Sequence, residues 1–146
     1  MNIPEFDIAG QKVLLVGAGR GIGKGIALAF AEAGAHAVLV DLDEESNART
    51  AAEIEALGRR AVAVTCDMGD CEAIEELYRT VDREFGRIDV VGNVAGEGVL
   101  EEPEDLTRDQ LLQALDGLVI GRFVSCREAG RRMLAAGKGS IINIGS

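Results

Sequence analysis

Histidine occurs once in this chain of 146 residues, at His36, and cysteine three times, at Cys66, Cys71 and Cys126. No two cysteines form a Cys-x-x-Cys pair. So few soft ligands, at such spacings, leave a metal centre without donors and a disulfide framework without partners. An odd number of thiols fits reduced cysteines in a cytoplasmic protein. Positive charge is also scarce: 15 lysines and arginines face 25 acids, a net charge of −10. Such a chain cannot neutralise a run of phosphates, so nucleic acid is excluded, and anionic membrane surfaces are disfavoured. The first ten residues, MNIPEFDIAG, lack both a basic segment and a long apolar stretch, so no signal peptide is read there. No apolar run approaches the roughly 20 residues of a membrane span. Aromatics make up 3%, whereas glycine reaches 19 residues. That balance suits an α/β architecture, whose tight strand-to-helix turns consume glycine.

Short aliphatic runs alternate with amphipathic stretches along the whole chain. Strands are expected at Lys12–Val16, His36–Asp41, Ala61–Thr65, Ile88–Val91 and Ser140–Ile144. A helix is expected from Ile22 to Ala33, with Ile22, Ile26, Ala29, Phe30 and Ala33 on its apolar face. A second helix opens at Asp43 and stops at Gly58. A third is capped by Asp70 and buries Ile74, Leu77, Tyr78 and Val81. Thr107 and Gln110 occupy capping-box positions, and a last helix is expected to run from there to about Ala136. Gly117, Gly121 and Gly130 weaken it, which implies close packing against another backbone. The pattern βαβαβαβαβ makes residues 1–146 one doubly wound, Rossmann-like domain with a parallel sheet of five strands.

The most telling segment is VLLVGAGRGIG, residues 13–23. Glycines at fixed offsets behind the first strand let the backbone approach a diphosphate, with new helix N–H groups pointing at the anion. The usual G-x-G-x-x-G spacing fails here. The pattern that fits is G-x-x-x-G-x-G, through Gly17, Gly21 and Gly23. Asp41 ends the second strand, 24 residues after Gly17, near the spacing expected of an acid that binds a ribose diol. A carboxylate there repels a 2′-phosphate and favours NAD over NADP, whereas Arg20 beside the turn points the other way. As a mere helix cap Asp41 is poorly placed, because Asp43 fills that role.

At these residues the chain resembles the short-chain dehydrogenase/reductase family over essentially its whole length. Gly17 to Gly23 is similar to the family's glycine motif, with Val16 where threonine is usual. Cys66-Asp67-Met68 looks like the end of the third strand, which implies that Asp67 bonds the adenine amino group and Met68 lines the ring. GNVAG, residues 92–96, looks like the N-N-A-G motif, with Asn93 matching and Val94 replacing the second asparagine. The resemblance implies cofactor contacts at Gly17, Arg20, Gly21, Ile22, Gly23, Asp41, Asp67, Met68, Asn93 and Ala95. Ser146 falls on the catalytic serine, which would hold the substrate oxygen. The family's chemistry also needs a tyrosine with a lysine four residues on, the cation lowering the phenol's pKa so that it can act as a base. Tyr78, the one tyrosine, is followed by Arg79-Thr80-Val81-Asp82, so that pair is absent. Leu118 stands at the family's helix asparagine and is expected to forfeit the backbone kink held there.

The expected function is therefore NAD(H)-linked interconversion of a small-molecule alcohol and a ketone or aldehyde, complete only with a downstream segment carrying the tyrosine and lysine. The apolar fifth strand would be an open edge. The helix from Thr107 carries surplus Leu111, Leu112, Leu115, Leu118, Val119 and Phe123. Both suit the front part of a longer enzyme that oligomerises through this helix. The acids at 97, 101, 102, 104 and 105 are expected to face solvent. A non-catalytic NAD-binding module is the first alternative, mildly favoured by Leu118 and Val94. A methyltransferase using S-adenosylmethionine is the second, disfavoured by the glycine spacing and by the GNVAG and INIGS strand ends.

Overall fold

The computed structural model describes residues 7–96 and 98–145. Its elements are β1 (Lys12–Val16), α1 (Gly21–Glu32), β2 (His36–Asp41), α2 (Glu44–Ala56), β3 (Ala61–Thr65), α3 (Cys71–Phe85), β4 (Val90–Asn93), α4 (Arg108–Leu115), α5 (Gly121–Ala136) and β5 (Ser140–Asn143). All strands are parallel, in the order β3-β2-β1-β4-β5. The order reverses beside β1, so the connections that leave β1 and β4 run to opposite faces of the sheet and a crevice opens outside the carboxyl ends of these strands.

Alternation within each strand sorts the core into two layers. Leu14, Val16, Val38, Val40 and Val91 pack with Ile74, Leu77, Tyr78 and Val81 of α3 and Val124, Ala129 and Met133 of α5. Val13, Leu15, Ala37, Leu39 and Val90 pack with Ala27 and Ala31 of α1 and Ala51 and Ile54 of α2. The expected face of α3 is the buried one. That of α1 is buried only in part: Ile26 and Phe30 pack at the edge of the core, but Gly23, Ala27 and Ala31 face the sheet, Ala29 and Ala33 are exposed, and Ile22 is 70% exposed. Small residues are what allow α1 to lie close to the strands, and bulk at Ile22 is turned toward the crevice instead.

β4 is displaced from its expected bounds for a polar reason. Asp89 closes the start of the strand, its carboxylate accepting the Lys12 N–H at 2.9 Å, so pairing begins at Val90. The strand continues to Asn93 because Ser125 and Asn143 satisfy that buried amide side chain. The helix from Thr107 is likewise interrupted. The capping box forms as expected, but a π-helical turn at Asp116–Ile120 separates α4 from α5. The kink thus persists with Leu118 inside it, contrary to expectation. Of the three glycines in this stretch only Gly121 is in close contact, since an added Cβ would lie 1.6 Å from the Met68 carbonyl oxygen. Gly117 and Gly130 have open space around them.

The surplus apolar residues of the long helix stand largely in solvent, Phe123 at 63%, and β5 is exposed along its length. The acids at 101, 102, 104 and 105 are exposed, while residue 97 lies outside the described residues. Among the described residues no helix is long and apolar enough to cross a membrane. Nor do any three histidines, cysteines or acids among them gather as a metal site.

Candidate functional site

The carboxyl ends of β1, β2, β3 and β4 wall a cleft of about 940 Å³. Its floor is the glycine turn, which is tied to strands on both sides. Gly17 and Ala18 donate to the Val40 carbonyl at 2.7 and 3.1 Å, and Val94 and Ala95 donate to the Val16 carbonyl at 3.0 and 2.9 Å. Gly17 has φ +88°, and an added Cβ would meet the Ala95 backbone nitrogen at 2.8 Å. Gly21 has φ +55° and no neighbour within 4 Å of such a Cβ, because it faces the open cleft. At Gly23 a Cβ would fall 1.8 Å from the Gly17 carbonyl oxygen, so the first turn of α1 rests directly on the strand end.

Helix capping separates α1 from its neighbours. Side chains of Asp43, Asp70 and Thr107 cap α2, α3 and α4. Among the described residues no side chain caps α1, whose cap residue is Arg20. The first N–H groups of a helix are orphan donors carrying partial positive charge, and here they border the cleft.

Asp41 joins the turn to β2. Its Oδ2 accepts the Gly19 N–H at 2.8 Å, and its Oδ1 accepts the Asp43 N–H at 3.1 Å. Each oxygen retains acceptor capacity toward the cleft. Gly19 was not among the residues that the glycine spacing singles out, yet a Cβ there would meet the Ser46 hydroxyl oxygen at 2.7 Å and Asp41 Oδ2 at 2.9 Å. On the third wall Asp67 Oδ1 accepts the Gly69 N–H at 2.8 Å, a local turn that presents Met68 to the cleft. Six aspartates line the cleft, at 41, 43, 67, 70, 109 and 116, against the single cation Arg20 among the described residues. Those at 109 and 116 come from α4 and the π turn, which sequence spacing gives no reason to place there.

The structure thus brings Gly17, Arg20, Gly21, Ile22, Gly23, Asp41, Asp67, Met68 and Ala95 to one cleft. Asn93 goes elsewhere. It is 2% exposed, it accepts from the Ser125 hydroxyl at 2.9 Å, and it donates to Asn143 Oδ1 at 2.9 Å. Ser125 in turn pairs with the Tyr78 hydroxyl at 2.9 Å. This buried chain of side chains ties α3 and α5 to β4 and β5. Burial holds the Tyr78 phenol above its ordinary value, so it is no base. Cys66 lines the cleft, but burial and then the charges of Asp67 and Asp70 push its thiol up to about 11, so it stays protonated. Ser146 lies outside the described residues.

The model of the family described as short chain dehydrogenase matches residues 11–146. The chain belongs to that family. It is similar to D-threitol dehydrogenase of Mycolicibacterium smegmatis, 35% identical over 142 residues, which are 97% of this chain and 55% of that protein. Among solved structures it resembles 7α-hydroxysteroid dehydrogenase complexed with NADH and 7-oxo glycochenodeoxycholic acid, at a TM-score of 0.93 and 30% identity. The match covers 100% of this chain and 57% of that one. A Burkholderia cenocepacia short chain dehydrogenase in complex with NADP matches at 0.89 and 32% identity, over 96% of this chain and 57% of that one. The chain spans about half the length of these relatives.

The donor set of the cleft fits a dinucleotide. A bare Gly21 leaves room that a side chain would fill, helix N–H groups without a side-chain cap among the described residues suit a diphosphate, and the Asp41 carboxylate beside the turn is the kind of acceptor a diol needs.

Proposed function

We propose that this chain is the dinucleotide-binding part of an NAD(H)-dependent oxidoreductase that interconverts an alcohol with a ketone or aldehyde. In this reading a downstream segment supplies the tyrosine and lysine. The observation that carries it is the Asp41 carboxylate, anchored by Gly19 beside the uncapped start of α1. The N–H groups of Gly21, Ile22 and Gly23 receive the diphosphate, Asp41 binds the adenosine diol, and Asp67 accepts from the adenine amino group. Arg20 balances the diphosphate charge, while Ile22, Met68 and Ala95 wall the ligand. Asn93 serves the same site indirectly, by holding β4 and β5 together. Ser146 holds the substrate oxygen. Bound in this cleft, the cofactor gives or takes the hydride.

NAD is favoured over NADP because a 2′-phosphate would meet the Asp41 carboxylate in a cleft already rich in aspartates. The substrate is a small alcohol or carbonyl compound, with neither nucleic acid nor membrane as partner, in the cytoplasm. The exposed apolar residues of α4 and α5 pair subunits in this reading. Family membership speaks against the methyltransferase alternative.

Calorimetry with NADH and NADPH tests the reading. NADH is expected to bind at least about tenfold more tightly, and D41S to erase the difference, a shift of about 1.4 kcal/mol. No heat with either nucleotide sinks the proposal. A non-catalytic NAD-binding module, for which Leu118 at the family's asparagine position speaks, is the outcome if NADH binds without turnover of a secondary alcohol in protein that includes the downstream segment.

A further inference from the structure

The β4–β5 ladder ends just below the mouth of the cleft. Its last bond runs from the Ile144 N–H to the Asn93 carbonyl at 3.0 Å. Beyond it, two carbonyls from the two strand ends turn to one guanidinium. Arg122 donates through Nη1 to the Ile144 carbonyl at 2.6 Å and through Nη2 to the Ala95 carbonyl at 3.0 Å. Arg122 sits in the first turn of α5, beside Gly121, whose backbone is pressed against Met68 at the end of β3. That contact leaves the helix turn no room to slide. One turn earlier Leu118 packs on Gly96, where an added Cβ would meet Leu118 Cδ2 at 2.2 Å. The loop after β4 is therefore held between Leu118 and Arg122.

We propose that Arg122 is a positioning residue: it splices the ends of β4 and β5 and fixes the backbone two residues ahead of Ser146. This rests on the oxidoreductase reading, in which Ser146 holds the substrate oxygen. The ladder bond from Ile144 and the two Arg122 bonds are what tie the end of β5 to the end of β4. A planar guanidinium spans two acceptors at once, and its hydrogen bonds are charge-assisted. Lysine at this position reaches one carbonyl at a time.

R122M, R122K and the control R131M, whose parent arginine is exposed and is one of three that pair with Glu128, decide the matter in protein that includes the downstream segment. In R122M, kcat is expected to fall about ten- to a hundredfold, with NADH affinity within about twofold of wild type. R122K is expected to lie between, R131M to match wild type, and added guanidinium ion to restore part of the rate in R122A. Amide exchange at residues 144–145 is expected to speed up in R122M, with β1 unchanged. If R122M does not fold, R122K with its intermediate kcat carries the test. An R122M enzyme with wild-type kcat, or NADH affinity and kcat falling together without response to guanidinium, overturns the proposal. A wild-type protein that binds NADH and turns nothing over defeats the oxidoreductase reading and this proposal with it.

Discussion

Replacing Gly23 by alanine probes the seat of α1 most directly. The new Cβ would lie 1.8 Å from the Gly17 carbonyl oxygen, whereas Cβ atoms essentially never come within 3.0 Å of a neighbour. The contact must open by at least 1.2 Å, and both partners are backbone, so no side chain can swing aside. Alanine in a helix returns up to about 1 kcal/mol through propensity. Overpacking costs about 1–3 kcal/mol, and here the upper end applies because the strand end and the helix must separate. The net expectation is a loss of about 2 kcal/mol in urea unfolding. G25A on the same helix is the internal control. Its Cβ meets nothing within 4 Å, so it should gain about 0.5–1 kcal/mol. NADH affinity should drop more than about tenfold in G23A, since one displaced charge-assisted N–H bond is worth about 1.5–3 kcal/mol. A G23A protein as stable as G25A, with undiminished NADH binding, refutes the argument.

Within these 146 residues Tyr78 is the one tyrosine and there is no tryptophan, so in this chain taken by itself its ionisation can be followed cleanly in the near ultraviolet. Burial raises its pKa above the ordinary 10.0, so the contribution to stability is complete below that pH and lost as pH rises beyond it. Phenolate absorbance should appear only together with unfolding; a reversible titration at about pH 10 in folded protein would contradict the burial. His36 works on the acid side. Burial, then Lys12, Arg59 and Arg60, lower its pKa from 6.5, and its Nδ1 accepts the Arg60 N–H at 2.9 Å. The unfolded chain therefore takes up a proton first, and stability should decline as pH falls below 6.5, with a shallower decline in H36Q by urea midpoint.

Strand-end chemistry was legible along the chain because it depends on local backbone geometry. A backbone that packs closely on a strand end needs glycine, and an acid at or just past the carboxyl end of an aliphatic strand lies outside the apolar core. Gly17, Gly21, Gly23, Asp41 and Asp67 meet at one cleft for those reasons. The periodicity of α3 predicted its buried face because large apolar residues have nowhere else to go. The same logic held only in part on α1, where Ile26 and Phe30 pack at the edge of the core but close approach selects glycine and alanine against the sheet and leaves Ile22 in solvent.

What the chain could not disclose by itself are pairings between distant segments. Asn93 read as a site residue, but Ser125 and Asn143, 32 and 50 residues away, claim its side chain. Arg122 carries no signal in the sequence, and only the fold turns the Ala95 and Ile144 carbonyls to it. Glu128, buried under Arg127, Arg131 and Arg132, gave no signal either. Composition and spacing determine which elements form and where a backbone must be bare. Which polar group satisfies which other is decided only once the sheet and its helices bring them within bonding distance and away from water.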